Sequence, residues 1–289
     1  VAKAPEDVDP RQLTVVARRV LMDGLDALRE HLPALTIVGA QAVYLRTPDA
    51  AVRSAPFTSD GDLSIDPELL GNQPHLDAAL RAAGFDLKTP NQPGLWERHE
   101  NIGDKSVPIE LDLLIPRQLS RQNGRRSAKV PPHGPMSARW IEGLEVAAVD
   151  RSPMLVTSLE PDDKRSVNVN VAGPAALLVA KAYKINDRLA DPRPHRLTDK
   201  DAGDVLRIMM GANTQAREVA SIFAALCEHP RVGDIAIQGL GKLYELFGGA
   251  ATPGVDMAVR ALSGDVPEER VRVVAPAYVN RLKRDVQPG

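Results

Sequence analysis

Thr58-Ser59-Asp60-Gly61-Asp62-Leu63-Ser64-Ile65-Asp66 is the stretch on which the fold turns. From Asp62 to Asp66 the residues alternate as in a strand. If the extended backbone begins at Asp60, Asp60 and Asp62 project to one face and Gly61 leaves the other bare. Ser-Asp-Gly-Asp is also ordinary turn chemistry, so the triplet alone decides little. A second stretch repeats the arrangement. Val107–Ile115 reads as a strand closed by Pro116, and Ile109-Glu110-Leu111-Asp112-Leu113 sets Glu110 and Asp112 on one side and apolar residues on the other.

If the two strands are neighbours, three or four carboxylates share one patch of sheet. Uncompensated, they repel and their pKa values rise. A divalent cation resolves the conflict: Mg²⁺ (or Mn²⁺) takes one or two protein carboxylates, waters and substrate phosphates. Asp60, Asp62 and a third carboxylate, Asp112 or its rival Glu110, are the candidate metal ligands.

Working outward, 12–32 is helical in period, with Leu13, Val16, Val20, Leu21, Leu25 and Leu28 near one face. Residues 35–39 read as a short buried strand running into a glycine, and 40–46 as a second helix. Gly39 and Ala40 thus sit where helix N-terminal amides can receive a phosphate, although a tight turn also explains the glycine. A helix follows over 75–83, ended by Gly84. Between 117 and 133 periodicity disappears, and Arg117, Arg121, Arg125, Arg126 and Lys129 occur without an acidic residue. Such a run suits an RNA backbone, and a solvated loop is its more frequent meaning. Three β-like stretches are expected near 144–149, 154–159 and 166–171. Helices are expected at 174–190, with Pro174 in the first turn, and at 199–211, 215–228, 234–248, 254–263 and 267–285.

The expected fold is therefore α+β, a mixed sheet with flanking helices followed by a helical C-terminal lobe. Its domains would be 1–172 and 173–289, with the helical part completing an active-site cleft. The 289 residues suffice for a substantial core, built mainly from Ala, Leu and Val because only 3% are aromatic. Trp96 and Trp140 read as packing residues. A net charge of −2 argues against a general nucleic-acid binder. The single cysteine, Cys227, excludes an internal disulfide framework and fits a reducing compartment. No apolar run is long enough to span a bilayer, so no membrane partner and a cytoplasmic location are expected. The histidines show no zinc spacing.

In the helical half, Lys181, Lys184 and Arg188 lie three and four apart and share a side of one helix. Lys200-Asp201-Ala202-Gly203-Asp204 opens the next, where acids also complement the dipole. His195, Arg196 and Arg193 lie between.

The order of apolar strand, glycine turn, helix, Asp-x-Asp strand and later carboxylate strand resembles the polymerase-β-like nucleotidyltransferase superfamily. Gly39-Ala40 departs from its Gly-Gly or Gly-Ser turn. The Lys181 helix ending in Asp187-Arg188, followed by Lys200-Asp201-x-x-Asp204, narrows the likeness to AbiEii-type, MenT-like toxins of type IV toxin–antitoxin systems. The resemblance runs from about residue 35 to 210. It implies a nucleotidyltransferase that moves a nucleoside monophosphate from an NTP onto tRNA 3′ ends, with a cognate antitoxin as partner. Asp60, Asp62 and Asp112 would be catalytic, with Asp112 helping to deprotonate the acceptor. Lys181 would neutralise the triphosphate, and Asp201 would orient Lys181 or bind the acceptor. Gly39, Ala40, Thr58, Ser59, Lys181, Lys184 and Arg188 would contact the nucleotide. A small-molecule, aminoglycoside-type nucleotidyltransferase and an inactive nucleotide-binding homologue are the alternatives.

Overall fold

The computed structural model describes residues 8–50, 52, 58–119, 127–191, 193 and 198–286. Helix α1 (Pro10–Ala27) is capped by Asp9, whose side chain accepts from the Arg11 amide at 2.8 Å. A 3₁₀ turn (Arg29–Ala34) containing Pro33 follows, so the α-helix stops short of the expected residue 32. Next come β1 (Leu35–Val38), α2 (Gly39–Arg46), β2 (Asp60–Ile65), α3 (Leu76–Ala82), β3 (Asp86–Leu87), β4 (Leu95–Ile102) and β5 (Lys105–Pro116). Strands β6 (Arg139–Ile141), β7 (Arg151–Thr157) and β8 (Ser166–Ala172) complete one mixed sheet, ordered β3-β4-β5-β2-β1-β8-β7, with β6 on β5. From there the described chain is helical: α4 (Pro174–Ala190), α5 (Lys200–Met209), α6 (Ala216–Cys227), α7 (Gly233–Phe247), α8 (Pro253–Ala261) and α9 (Glu268–Val286).

Strands β2 and β5 are parallel neighbours in the register Asp60↔Glu110 and Asp62↔Asp112. The alternate residues, Gly61 and Leu111, face α1. A Cβ on Gly61 would press against Leu21 and Leu111, so the missing side chain lets α1 pack close to the sheet. Leu13, Val20, Leu21 and Leu25 of α1 are buried with Leu63, Leu111 and Leu113, each worth about 1.5–3 kcal/mol of apolar transfer. Trp96 is fully buried and its indole donates to the Ser137 carbonyl at 3.0 Å.

Two strand expectations need correction. The 144–149 stretch forms a 3₁₀ turn (Glu145–Ala148), because the buried Glu145 carboxylate collects the Gly143 and Gln118 amides at 2.8 and 3.0 Å. The strand then occupies 151–157 instead of 154–159. Strands β3, β4 and β6 were not anticipated. No helix among the described residues is long and apolar enough to cross a membrane.

Candidate active site

The strand register decides the geometry of the acidic face. Asp60, Asp62, Glu110 and Asp112 occupy the face opposite α1. Above it, a pocket of about 190 Å³ runs from Asp60, Asp62 and Glu110 to Lys181, Lys184, Arg188 and Lys200 on the helices. Ala40, Ser59 and Asp201 also border it. One wall is acidic and belongs to the sheet, and the other is mainly basic and belongs to α4 and α5.

Asp60 is fixed by its neighbours. The buried Thr58 hydroxyl donates to its carboxylate, and Gln41 Nε2 donates to its backbone carbonyl at 3.3 Å. Gln41 is held in turn by buried Arg18, Nε to Oε1 at 2.7 Å. Burial works to raise the Asp60 carboxyl, but Lys200, the Thr58 hydroxyl, Lys184 and Lys181 outweigh it and hold the group below the ordinary range. Asp62 lies deeper. Burial, followed by the charge of Asp60, pushes it up to about 6. Gly39 makes room for it: with φ at +67° the glycine adopts a left-handed backbone, and any Cβ there would fall inside the Asp62 carboxylate. Gly39 therefore meets the acid directly, whereas Ala40 meets the pocket.

Burial pushes Asp112 up to about 8, against the pull of Arg139, with further repulsion from Asp62, Asp60 and Glu110. Arg139 Nη2 donates to Asp112 Oδ2 at 2.5 Å. Asp112 Oδ1 is buried and has no hydrogen-bond partner. Such an orphan carries a desolvation cost on the order of 1–3 kcal/mol or more. Glu110 instead pairs with Lys88 at 2.5 Å, on the pocket rim.

Could these residues hold a divalent cation? Among the described residues no three potential ligands converge into a preformed cage. Asp60 is turned to Thr58, and Asp112 to Arg139. The donor chemistry nevertheless suits Mg²⁺ or Mn²⁺, which need few protein carboxylates when substrate phosphates supply other ligands. The unpartnered Asp112 oxygen and the raised Asp62 are what an uncompensated site leaves behind.

The basic wall is built differently. Lys181 Nζ, nearly inaccessible, lies 2.7 Å from Asp201 and 2.6 Å from Asp204. Lys184 and Arg188 reach Asp201 at 3.2 and 2.6 Å. Burial opposes the charge on Lys181, yet Asp201 and Asp204 hold its pKa above the ordinary lysine range. Burial likewise opposes Asp201, but Lys181, Lys184 and Arg188 keep it well below the usual carboxylate range. The helical spacing of three and four thus gathers three cations on one aspartate.

Several expected residues lie elsewhere. Thr58 is wholly buried and serves Asp60 from behind, while Ser59 borders the pocket. Arg117 stacks over Trp140 at 4.9 Å and approaches Glu142 at 3.4 Å, and Lys129 is exposed. Arg121, Arg125, Arg126, His195 and Arg196 fall outside the described residues. Arg193 pairs with Asp191 at 2.9 Å. Sequence reasoning missed Arg139, Lys88 and the part Asp204 plays, and it left Lys200 without a role. It also missed that His31, His75 and His133 meet, with ring centroids 5.5 and 6.0 Å apart.

No protein-family model matches the sequence, and no curated protein matches it. Among solved structures, the chain is similar to the crystal structure of an antigenic nucleotidyltransferase-like protein from Paracoccidioides brasiliensis. That likeness has 15% identity and a TM-score of 0.42, covering 88% of this chain and 94% of the other. At such values it assigns no chemistry.

Proposed function

We propose that this protein is a metal-dependent nucleotidyltransferase that moves a nucleoside monophosphate from an NTP to an acceptor hydroxyl. The observation that carries the reading is one pocket bordered by Asp60, Asp62 and Glu110 on the sheet and by Lys181, Lys184, Arg188 and Lys200 on the helices, with Asp112 next to Asp62 in the strand register. Asp60, Asp62 and Asp112 would hold Mg²⁺ or Mn²⁺, which supplies charge stabilisation to the reacting phosphate and the leaving group. Lys184, Arg188 and Lys200 bind the triphosphate as cationic partners. Lys181, already saturated by Asp201 and Asp204, anchors that wall and contributes its charge from beneath.

In the transfer, the acceptor oxygen bonds to the α-phosphorus as the bond to the α–β bridging oxygen breaks. The electron pair leaves with pyrophosphate, and the hydroxyl proton passes to Asp112, which would accept it as the carboxylate that Arg139 and a bound cation keep ionised. Asp112 takes the third-carboxylate role in preference to Glu110 because it stands next to Asp62 in the strand register and its buried Oδ1 has no hydrogen-bond partner.

The motif resemblance directs the acceptor to RNA, with tRNA 3′ ends first, and the physiological role to a toxin with a cognate antitoxin. Incubation with each of the four α-labelled NTPs, Mg²⁺ and unfractionated tRNA is expected to label RNA, and an Asp60→Ala protein to lose labelling while remaining folded. Absence of label with all four nucleotides sinks the proposal. Label appearing only on an aminoglycoside-type small molecule would keep the transfer chemistry and remove the RNA acceptor.

A further inference from the structure

An in-line displacement requires the attacking and leaving oxygens on opposite sides of the phosphorus. If the pyrophosphate lies against the helical wall, the acceptor must approach from the far flank of β5. That flank is described by β4 and β6, which pair with β5 on successive segments: Leu95↔Asp112 through Ile102↔Lys105, then Leu114↔Arg139 through Pro116↔Ile141. It carries a row of cations. Lys88 lies at the end of β3 with its ammonium on Glu110, Arg139 lies on Asp112, and Arg117 stacks on Trp140.

These cations differ in what they can offer a ligand. Arg139 is largely buried and committed to the third carboxylate, with side-chain exposure of 19%. Lys88 has twice that exposure, 38%, and its partner Glu110 is itself 23% exposed. A surface pair of this kind contributes about 0–1 kcal/mol, so exchanging the carboxylate for a phosphate costs little. The cations acting most strongly on Asp60 are Lys200, Lys184 and Lys181, all helical. Lys88 borders the same pocket as Lys181, Lys184, Arg188 and Lys200, but from the sheet wall beside Glu110 and not from the helices.

We propose that Lys88 receives a backbone phosphate of the polynucleotide acceptor, with Glu110 as the counter-ion it exchanges for that phosphate. The polynucleotide then crosses the Asp60–Asp112 face from the β3–β4 flank and presents its terminal hydroxyl to Asp112. Lys88 is a binding residue for the acceptor and Glu110 its resting partner, not a third metal ligand. This inference rests on the nucleotidyltransferase reading.

The test compares the wild type with Lys88→Glu, Lys88→Ala and Glu110→Gln, using unfractionated tRNA as probe. Direct tRNA binding is measured over a salt series, and transfer from α-labelled NTP is measured in parallel. Lys88→Glu is expected to weaken tRNA binding about tenfold, equivalent to about 1.4 kcal/mol, while the KM for NTP stays within about twofold of wild type, a difference of only a few tenths of a kcal/mol. The slope of log affinity against log salt should fall by about 0.7–0.9, one phosphate contact, in Lys88→Ala. Glu110→Gln should bind tRNA at least as tightly as wild type.

Unchanged tRNA affinity in Lys88→Glu overturns the inference, as does a KM for NTP that rises in step with the loss of tRNA affinity. Weaker tRNA binding in Glu110→Gln than in wild type overturns the role given to Glu110. A wild type that labels no acceptor is a failure of the nucleotidyltransferase reading itself. A wild type that labels tRNA while Lys88→Glu binds it normally is a failure of the acceptor path alone.

Discussion

Asp62 and Asp201 face each other across one pocket, and the fold treats the two carboxylates in opposite ways. On the helical wall, Asp201 meets Lys181, Lys184 and Arg188 and is held well below the usual range. On the sheet, burial and Asp60 push Asp62 up to about 6. The helical cluster is satisfied from within and brings three cations to two carboxylates, Asp201 and Asp204. In the sheet cluster Arg139 pairs with Asp112 and Lys88 with Glu110, while Asp62 stays raised. On the proposed reading, one wall binds the triphosphate and the other holds the divalent cation.

Replacing one carboxylate on each wall should separate these roles most sharply. Asp62→Asn is expected to reduce transfer on the order of 10³-fold, about 4 kcal/mol of barrier, by removing a proposed metal ligand. The same change should leave the melting temperature of the cation-free protein equal or higher, because it deletes a repelled charge. Asp201→Asn should do the reverse to stability. It leaves Lys181 with Asp204 alone and Arg188 near a neutral partner, and breaking a buried pair costs about 3–5 kcal/mol. Urea unfolding of both variants without divalent cation checks the contrast, and equal losses in the two would erase it.

A smaller effect is expected at Gly39. Alanine there forces a non-glycine residue into the left-handed region and drives its methyl into Asp62. The destabilisation should be about 1–3 kcal/mol, accompanied by a higher Mg²⁺ requirement for transfer. A melting temperature and Mg²⁺ requirement both unchanged would show that Asp62 can stand elsewhere.

A further expectation is a pH trend. Asp62 and Asp112 have folded values of about 6 and about 8, above the unfolded value of about 4. For a carboxyl raised in the folded state, the stabilising contribution is full below the unfolded value and is lost as pH rises through the folded one. The cation-free protein should therefore lose stability from these groups between about pH 4 and pH 8. Added Mn²⁺ should raise the melting temperature more at the upper end of that window. A melting temperature shift from Mn²⁺ that is larger at the acid end would contradict the assignment.

Much of this contrast was legible before any coordinates. Alternation placed Asp60 with Asp62 and Glu110 with Asp112, and the spacing of Lys181, Lys184 and Arg188 placed them on one helical side. The helix over 174–190 coincides with α4, since Pro174 marks its start unambiguously. The β2–β5 pairing was only a condition in the sequence, because register is a long-range property. Strand β4 escaped because its charged residues make ion pairs that mask alternation: Arg98 binds Asp23, and Glu100 binds Arg19. Arg139 lies 27 residues from Asp112, and Lys88 lies 22 residues from Glu110. No local spacing reports such pairs. His31, His75 and His133 were likewise invisible, since they come from three separate segments.

The central claim is that the pocket transfers a nucleotidyl group, and parallel reactions with α-labelled and γ-labelled NTP test it most directly. With Mg²⁺ and unfractionated tRNA, the account predicts α-label in the RNA, γ-label only in released pyrophosphate, and neither outcome's product in the Asp62→Asn protein. Transfer of γ-label to the RNA, or undiminished α-labelling by Asp62→Asn, would contradict it.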